Sequence, residues 1–126
     1  MPTTEWFHWT CSDGAAQIDK GERFGTLKPL PQVPLGRLPL IWLTSSRSAS
    51  RAMLGLSSKT LTCDRMECLY RVLPEDVEKV VRWGDLIRAP DFAPALPGAR
   101  RLMATRGTRP GVWGVSGQPI RVERIK

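Results

Sequence analysis

Histidine occurs once in this 126-residue chain, at His8, and cysteine three times. A single histidine excludes a two-histidine metal centre, and any Cys–His or Ser–His pair has to use His8. An odd number of cysteines fits a reduced compartment better than a disulfide framework. The sequence lacks G-x-x-x-x-G-K-[ST], G-x-G-x-x-G and H-E-x-x-H, so the familiar phosphate-loop, dinucleotide and zinc-protease signatures are absent. No apolar run approaches the roughly 20 residues that cross a bilayer. The longest, residues 38–43 (LPLIWL), reads as a buried strand. The first ten residues (MPTTEWFHWT) lack the basic start and apolar stretch of a signal peptide. A soluble, cytoplasmic protein without a membrane partner is expected. There is no internal repeat, heptad or low-complexity segment.

What is present is ordinary in amount and uneven in place. Hydrophobic residues make up 41% and charged residues 25%, which suits a globular domain and excludes wholesale disorder. The length fits a single domain, residues 1–126, able to bury a core without metal or disulfide staples. Glycine and proline contribute 11 residues each. They predict short elements joined by irregular connections and argue against a helical bundle.

The net charge is +7, and it grows along the chain. Residues 1–42 balance, whereas residues 85–126 carry eight basic and three acidic side chains. Arg100, Arg101, Arg106 and Arg109 could form an anion-attracting surface for an acidic protein or a nucleic acid, or simply a solvated face. Fourteen of the 19 basic residues are arginine, which grips phosphate bidentately.

Periodicity predicts an α+β domain of about six short strands with two or three short helices. Residues 5–10 (EWFHWT) alternate as a strand, with Trp6, His8 and Thr10 on one face and Phe7 and Trp9 on the other. Ser12 and Asp13 suit a helix cap, with the helix ending at Gly21. Residues 23–37 read as a proline-rich loop. Residues 39–44 are the best core strand, followed by a polar turn and a helical turn over 48–56. Residues 60–63 and 68–73 read as strands around a turn at 64–67. Pro74, Glu75 and Asp76 suit a helix start, with Val77, Val80 and Val81 as its apolar face, although the stretch also fits a strand. Residues 89–98 form a second proline-rich loop. Residues 111–116 and 120–125 are the closing strands.

Two clusters could carry chemistry. In the first, Trp6, Phe7 and Trp9 flank His8, beside Thr10. Aromatic rings offer stacking surfaces and imidazole offers a hydrogen bond, although such rings are as often simply core. In the second, the strand through Trp42 runs into Thr44, Ser45 and Ser46. Hydroxyls at a strand end can hold a ribose or phosphate, or can bond their own turn. His8, Cys11, Cys63 and Cys68 could in principle supply four zinc ligands. Small, buried structural residues are the preferred reading of the cysteines, and no metal is expected.

Several short patterns recur together: F-H-W-T-C at 7–11, G-x-L-x-P at 25–29, W-L-T at 42–44, L-G-L at 54–56, C-D-R at 63–65, Y-R-V at 70–72 and W-x-V-S at 113–116. In this order they resemble small uncharacterised proteins of actinobacteria and their phages. More distantly they resemble the ADP-ribosyltransferase fold, including its RNA 2′-phosphotransferase branch. That resemblance implies a split, strongly curved pair of antiparallel sheets clamping NAD in a cleft. It implies that His8 holds the NAD ribose, with Trp9 and Thr10 beside it. Thr44 and Ser45 would buttress the nicotinamide site. Glu123 would be the catalytic acid, stabilising the oxocarbenium-like state formed as the nicotinamide–ribose bond breaks. The family's Glu-x-Glu or Gln-x-Glu pair is absent, and Arg121 and Arg124 flank Glu123. For a phosphotransferase-like site only Arg65 and Arg71 occupy plausible middle-strand positions.

Two functions follow. One is an ADP-ribosyltransferase-like protein that binds NAD and transfers ADP-ribose to a protein or nucleic acid. The alternative is a non-catalytic, basic interaction protein of phage or host, binding a partner protein or nucleic acid.

Overall fold

The computed structural model describes residues 4–10, 12–46, 68–104 and 108–126. Among them run eight strands: β1 (Phe7–Thr10), β2 (Phe24–Leu27), β3 (Leu30–Gln32), β4 (Leu38–Thr44), β5 (Cys68–Val72), β6 (Val81–Arg82), β7 (Trp113–Ser116) and β8 (Ile120–Arg124). The helices are α1 (Ser12–Asp19), α2 (Trp83–Leu86) and α3 (Leu96–Ala104). All pairings are antiparallel, in the order β2-β8-β5-β1-β4-β7-β6, with β3 beside β4. The expected α+β class is therefore the observed one. No described helix is long and apolar enough to cross a membrane.

Five of the six expected strands fall among the described residues, and three more, β2, β3 and β6, join them. Residues 23–37 contain β2, which borrows its ladder from β8 at the sheet edge. They also contain β3, where Pro31 faces Pro39 across a short pairing with β4. Proline removes a donor but is tolerated where a strand has a free side. The helix expected after Pro74 is instead a 3₁₀ segment, Pro74–Lys79, followed by β6. The loop expected at 89–98 holds a 3₁₀ segment, Pro90–Ala95, and the start of α3. Pro97 fits there because the N–H groups of a first turn lack intrahelical partners in any case. The elements expected over 48–56, 60–63 and 64–67 lie outside the described residues.

The sheet has two halves, β2-β8-β5-β1 and β4-β7-β6. Between them β1 and β4 share one residue pair, Phe7 with Thr44. Each half has its own core. Ala15, Leu27, Tyr70, Val72, Ile120 and Val122 build the first, with Ile41 and Leu43 from β4. Leu35, Leu40, Trp83, Phe92, Trp113 and Val115 build the second, with Trp42 packed against it. Successive strand side chains alternate between faces. Strand β4 thus supplies both cores, which explains why residues 38–43 are apolar almost without interruption.

Two contacts lock this arrangement. Trp6 lies flat against Gly114, where a Cβ would come within 2.5 Å of the indole. Helix α1 is fastened to β5 through Tyr70, whose hydroxyl donates to Asp19 Oδ2 at 2.7 Å. Gly21 N donates to Asp19 Oδ1 at 3.0 Å, and Arg124 Nη1 lies 3.5 Å from Oδ2. Burial alone would push the Asp19 carboxyl up. The Tyr70, Gly21 and Arg124 donors outweigh it and hold the pKa below the usual value.

Candidate functional site

Where β1 and β4 part, a cleft of about 610 Å³ opens. Its walls come from β1, β4, α1 and the β2–β3 connection. The volume lies within the roughly 300–1,000 Å³ of small-molecule sites. His8, Trp9, Thr10 and Thr44 all line it, so the fold brings four of the predicted binding residues together.

His8 spans the split. Its Nδ1 lies 2.8 Å from the backbone oxygen of Trp42. A carbonyl only accepts, so Nδ1 carries a proton and donates. Past the Phe7–Thr44 pair the imidazole takes the place of a backbone ladder bond, holding the strands together while they diverge.

Trp42 is held as firmly as His8. Its Nε1 donates to Gln32 Oε1 at 2.6 Å, and Gln32 Nε2 donates to the Leu30 and Leu40 carbonyls at 2.8 and 3.0 Å. One amide side chain thereby fixes both β3 and the indole. The Trp42 ring packs on Trp83 at 5.1 Å between centroids and meets Trp113 edge-on at 5.7 Å. Such pairs add about 0.5–1.5 kcal/mol each beyond area burial. Gln32, like Lys28 and Gly14, lines the cleft without having been singled out from sequence. Gly14 is needed because a Cβ there would overlap the Thr10 hydroxyl.

Trp9 brings a buried indole Nε1 that meets no acceptor among the described residues. Lys126 Nζ stands 5.7 Å from its ring centroid. Thr44 is buried, and its Oγ1 accepts from Ser46 N at 3.0 Å, the turn role for a strand-end hydroxyl. Ser45 is not among the lining residues; its N–H donates to Val112 O at 2.8 Å.

Glu123 lies elsewhere. It sits on β8, two strands from β1, outside the lining of the cleft. Arg71 Nη2 bonds its Oε2 at 2.6 Å, and Arg23 pairs with Oε1. Arg71 also reaches Glu5 at 3.6 Å, so a ladder of alternating charge crosses the sheet. The Arg71 guanidinium, then Arg23, hold the Glu123 carboxyl below its usual pKa against the opposing effect of desolvation. The flanking arginines serve other carboxylates. Arg121 pairs with Asp76 and Arg124 with Asp19. Arg71 reaches Glu123 because it stands opposite in the register, and Arg23 reaches it from just before Phe24, its opposite number on β2.

Cys11 and Cys63 lie outside the described residues. Cys68 is a buried free thiol that accepts from Arg124 Nη2 at 3.2 Å. Among the described residues no three metal-ligating side chains cluster. Arg100 and Arg101 are exposed on α3, Arg109 is exposed near β7, and Arg106 is outside the described residues.

Comparison with protein families, curated proteins and solved structures finds no match. The functional argument therefore rests on the cleft itself. Lys28 is its single charged lining residue among those described; no carboxylate lines it. Three indoles, Trp9, Trp42 and Trp113, contribute to its walls. Planar rings suit the indole walls, and Lys28 suits an anionic group on the same ligand.

Proposed function

We propose that this chain is an ADP-ribosyltransferase-like protein that binds NAD in the cleft between β1 and β4. The observation that carries the reading is the parting of β1 from β4 after the Phe7–Thr44 pair, bridged by His8. A curved, split antiparallel sheet opening beside a histidine of the first strand is what the sequence resemblance implies. The chemistry of the walls agrees: indoles suit the two base-like rings, Lys28 suits the pyrophosphate, and hydroxyl and amide groups suit the riboses. The activity such a site would serve is cleavage of the nicotinamide–ribose bond, with ADP-ribose passing to a protein or nucleic acid.

A second reading, binding without catalysis, is favoured by one specific observation. Glu123, the carboxylate expected to stabilise the oxocarbenium-like state, is held by Arg71 and Arg23 away from the cleft lining. A stabilising charge has to stand where charge develops in the transition state. The chain would then use the same cleft as a ligand-dependent docking module for a phage or host partner.

The test is calorimetric titration with NAD, with nicotinamide release followed in parallel. Binding with release supports the transferase, and binding without release supports the docking module. Absence of binding at millimolar NAD overturns both forms of the proposal.

A further inference from the structure

A second cavity, of about 280 Å³, lies beside α2 and shares Trp113 with the cleft. Its lining includes Arg82, Trp83, Asp85, Arg88 and Met103. Trp83 is 1% exposed, and its indole Nε1 is buried without an acceptor among the described residues. Buried donors are nearly always paired. Arg88 is exposed and makes no ion pair among the described residues. Arg82 turns its guanidinium away, donating to Thr4 Oγ1 at 2.9 Å and lying over the Trp6 ring at 5.6 Å, which leaves Arg88 and Asp85 as the charged side chains for a ligand here.

We propose that this cavity is an anion-binding site for a nucleotide unit, separate from the cleft. The phosphate would meet Arg88, whose planar fork of donors is well matched to it. The flat base would lie on the apolar wall of Trp113 and Met103. An acceptor on the ligand would satisfy Trp83 Nε1, which meets none among the described residues. Asp85 opposes a second phosphate and limits the site to a singly phosphorylated unit. The same chemistry is offered by a free mononucleotide and by one residue of a single-stranded nucleic acid.

The experiment is a two-dimensional amide spectrum of the whole chain, following the indole N–H of Trp83. Adenosine 5′-monophosphate and a short single-stranded oligonucleotide serve as probes. The expected result is a saturable shift of the Trp83 resonance, retained in His8→Ala. Arg88→Gln should weaken binding by roughly tenfold, as loss of one charge-assisted contact predicts, and Asp85→Asn should strengthen it. Much tighter binding of the oligonucleotide assigns the unit to a nucleic acid, and equal binding assigns it to a free nucleotide. A Trp83 resonance that neither probe moves at millimolar concentration overturns the proposal. So does equal affinity in Arg88→Gln and the parent.

Discussion

His8 Nδ1 and the carbonyl oxygen of Trp42 stand 2.8 Å apart, across 34 residues of chain, at the point where β1 and β4 cease to pair. This hydrogen bond links β1 to β4 beside the mouth of the cleft. It couples the geometry of the cleft to the identity of a single side chain.

His8→Ala should leave the chain folded and lower NAD affinity by about tenfold or more, the effect of losing one or two good hydrogen bonds. His8→Gln, whose amide can still donate, should recover part of that loss. Calorimetry on the three proteins, with circular dichroism as the folding control, checks this. Unchanged affinity in His8→Ala would remove His8 from the site.

Glu123→Gln should leave NAD affinity unchanged, because Glu123 is not among the residues lining the cleft. If the chain releases nicotinamide at all, the rate should also persist in this variant. A fall in release of about a hundredfold with unchanged binding, as for a lost transition-state contact, would show that Glu123 reaches the reacting ribose after all.

Tyr70 is the only tyrosine in the chain, so its ionisation can be read alone by ultraviolet absorbance. Burial first, and the Asp19 carboxylate second, push its pKa well above the ordinary value near 10. A phenol whose folded pKa is raised stabilises the fold fully below its unfolded pKa and loses that contribution as pH rises beyond it. Phenolate absorbance should therefore appear only together with alkaline unfolding. Tyr70→Phe should cost about 1–3 kcal/mol by leaving the buried Asp19 short of a donor. A phenolate signal that develops near pH 10 (the unperturbed value) in folded protein would contradict this.

Asp76 is buried and accepts from Arg121 N at 2.7 Å and from the Arg121 guanidinium at 3.2 Å. The Arg121 side chain, opposed by burial, lowers its pKa to about 2. A depressed carboxylate contributes stability above its unfolded pKa and loses it as pH falls. Its share should be complete above the ordinary value of 3.8 and should disappear progressively down to about 2. Asp76→Asn should flatten the stability–pH curve over that window and cost about 1–3 kcal/mol at neutral pH, the range for hydrogen bonds to a charged group. Denaturant melts at a series of pH values test both statements.

The cleft residues differ in how far the chain alone betrayed them. His8, Trp9 and Thr10 were legible because one alternating strand carries them in consecutive positions. Gln32 and Lys28 were not, because a proline-rich stretch offers no periodicity from which to read β3 or the turn before it. Thr44 was found for its hydroxyl, yet that hydroxyl caps its own turn. Glu123 is the acid of the last strand, and its place in the sequence says nothing about which arginines pair with it.

Local pattern therefore settled the α+β class, the apolar run of β4, the strand bearing His8 and the final pair of strands. These follow from side-chain alternation and turn chemistry, which act over a few residues. Tertiary structure alone decided where the sheet splits, which face of each half is core, and that Glu123 pairs with Arg71 and Arg23. Those outcomes depend on strand order and register, which bring together side chains that no local signal relates.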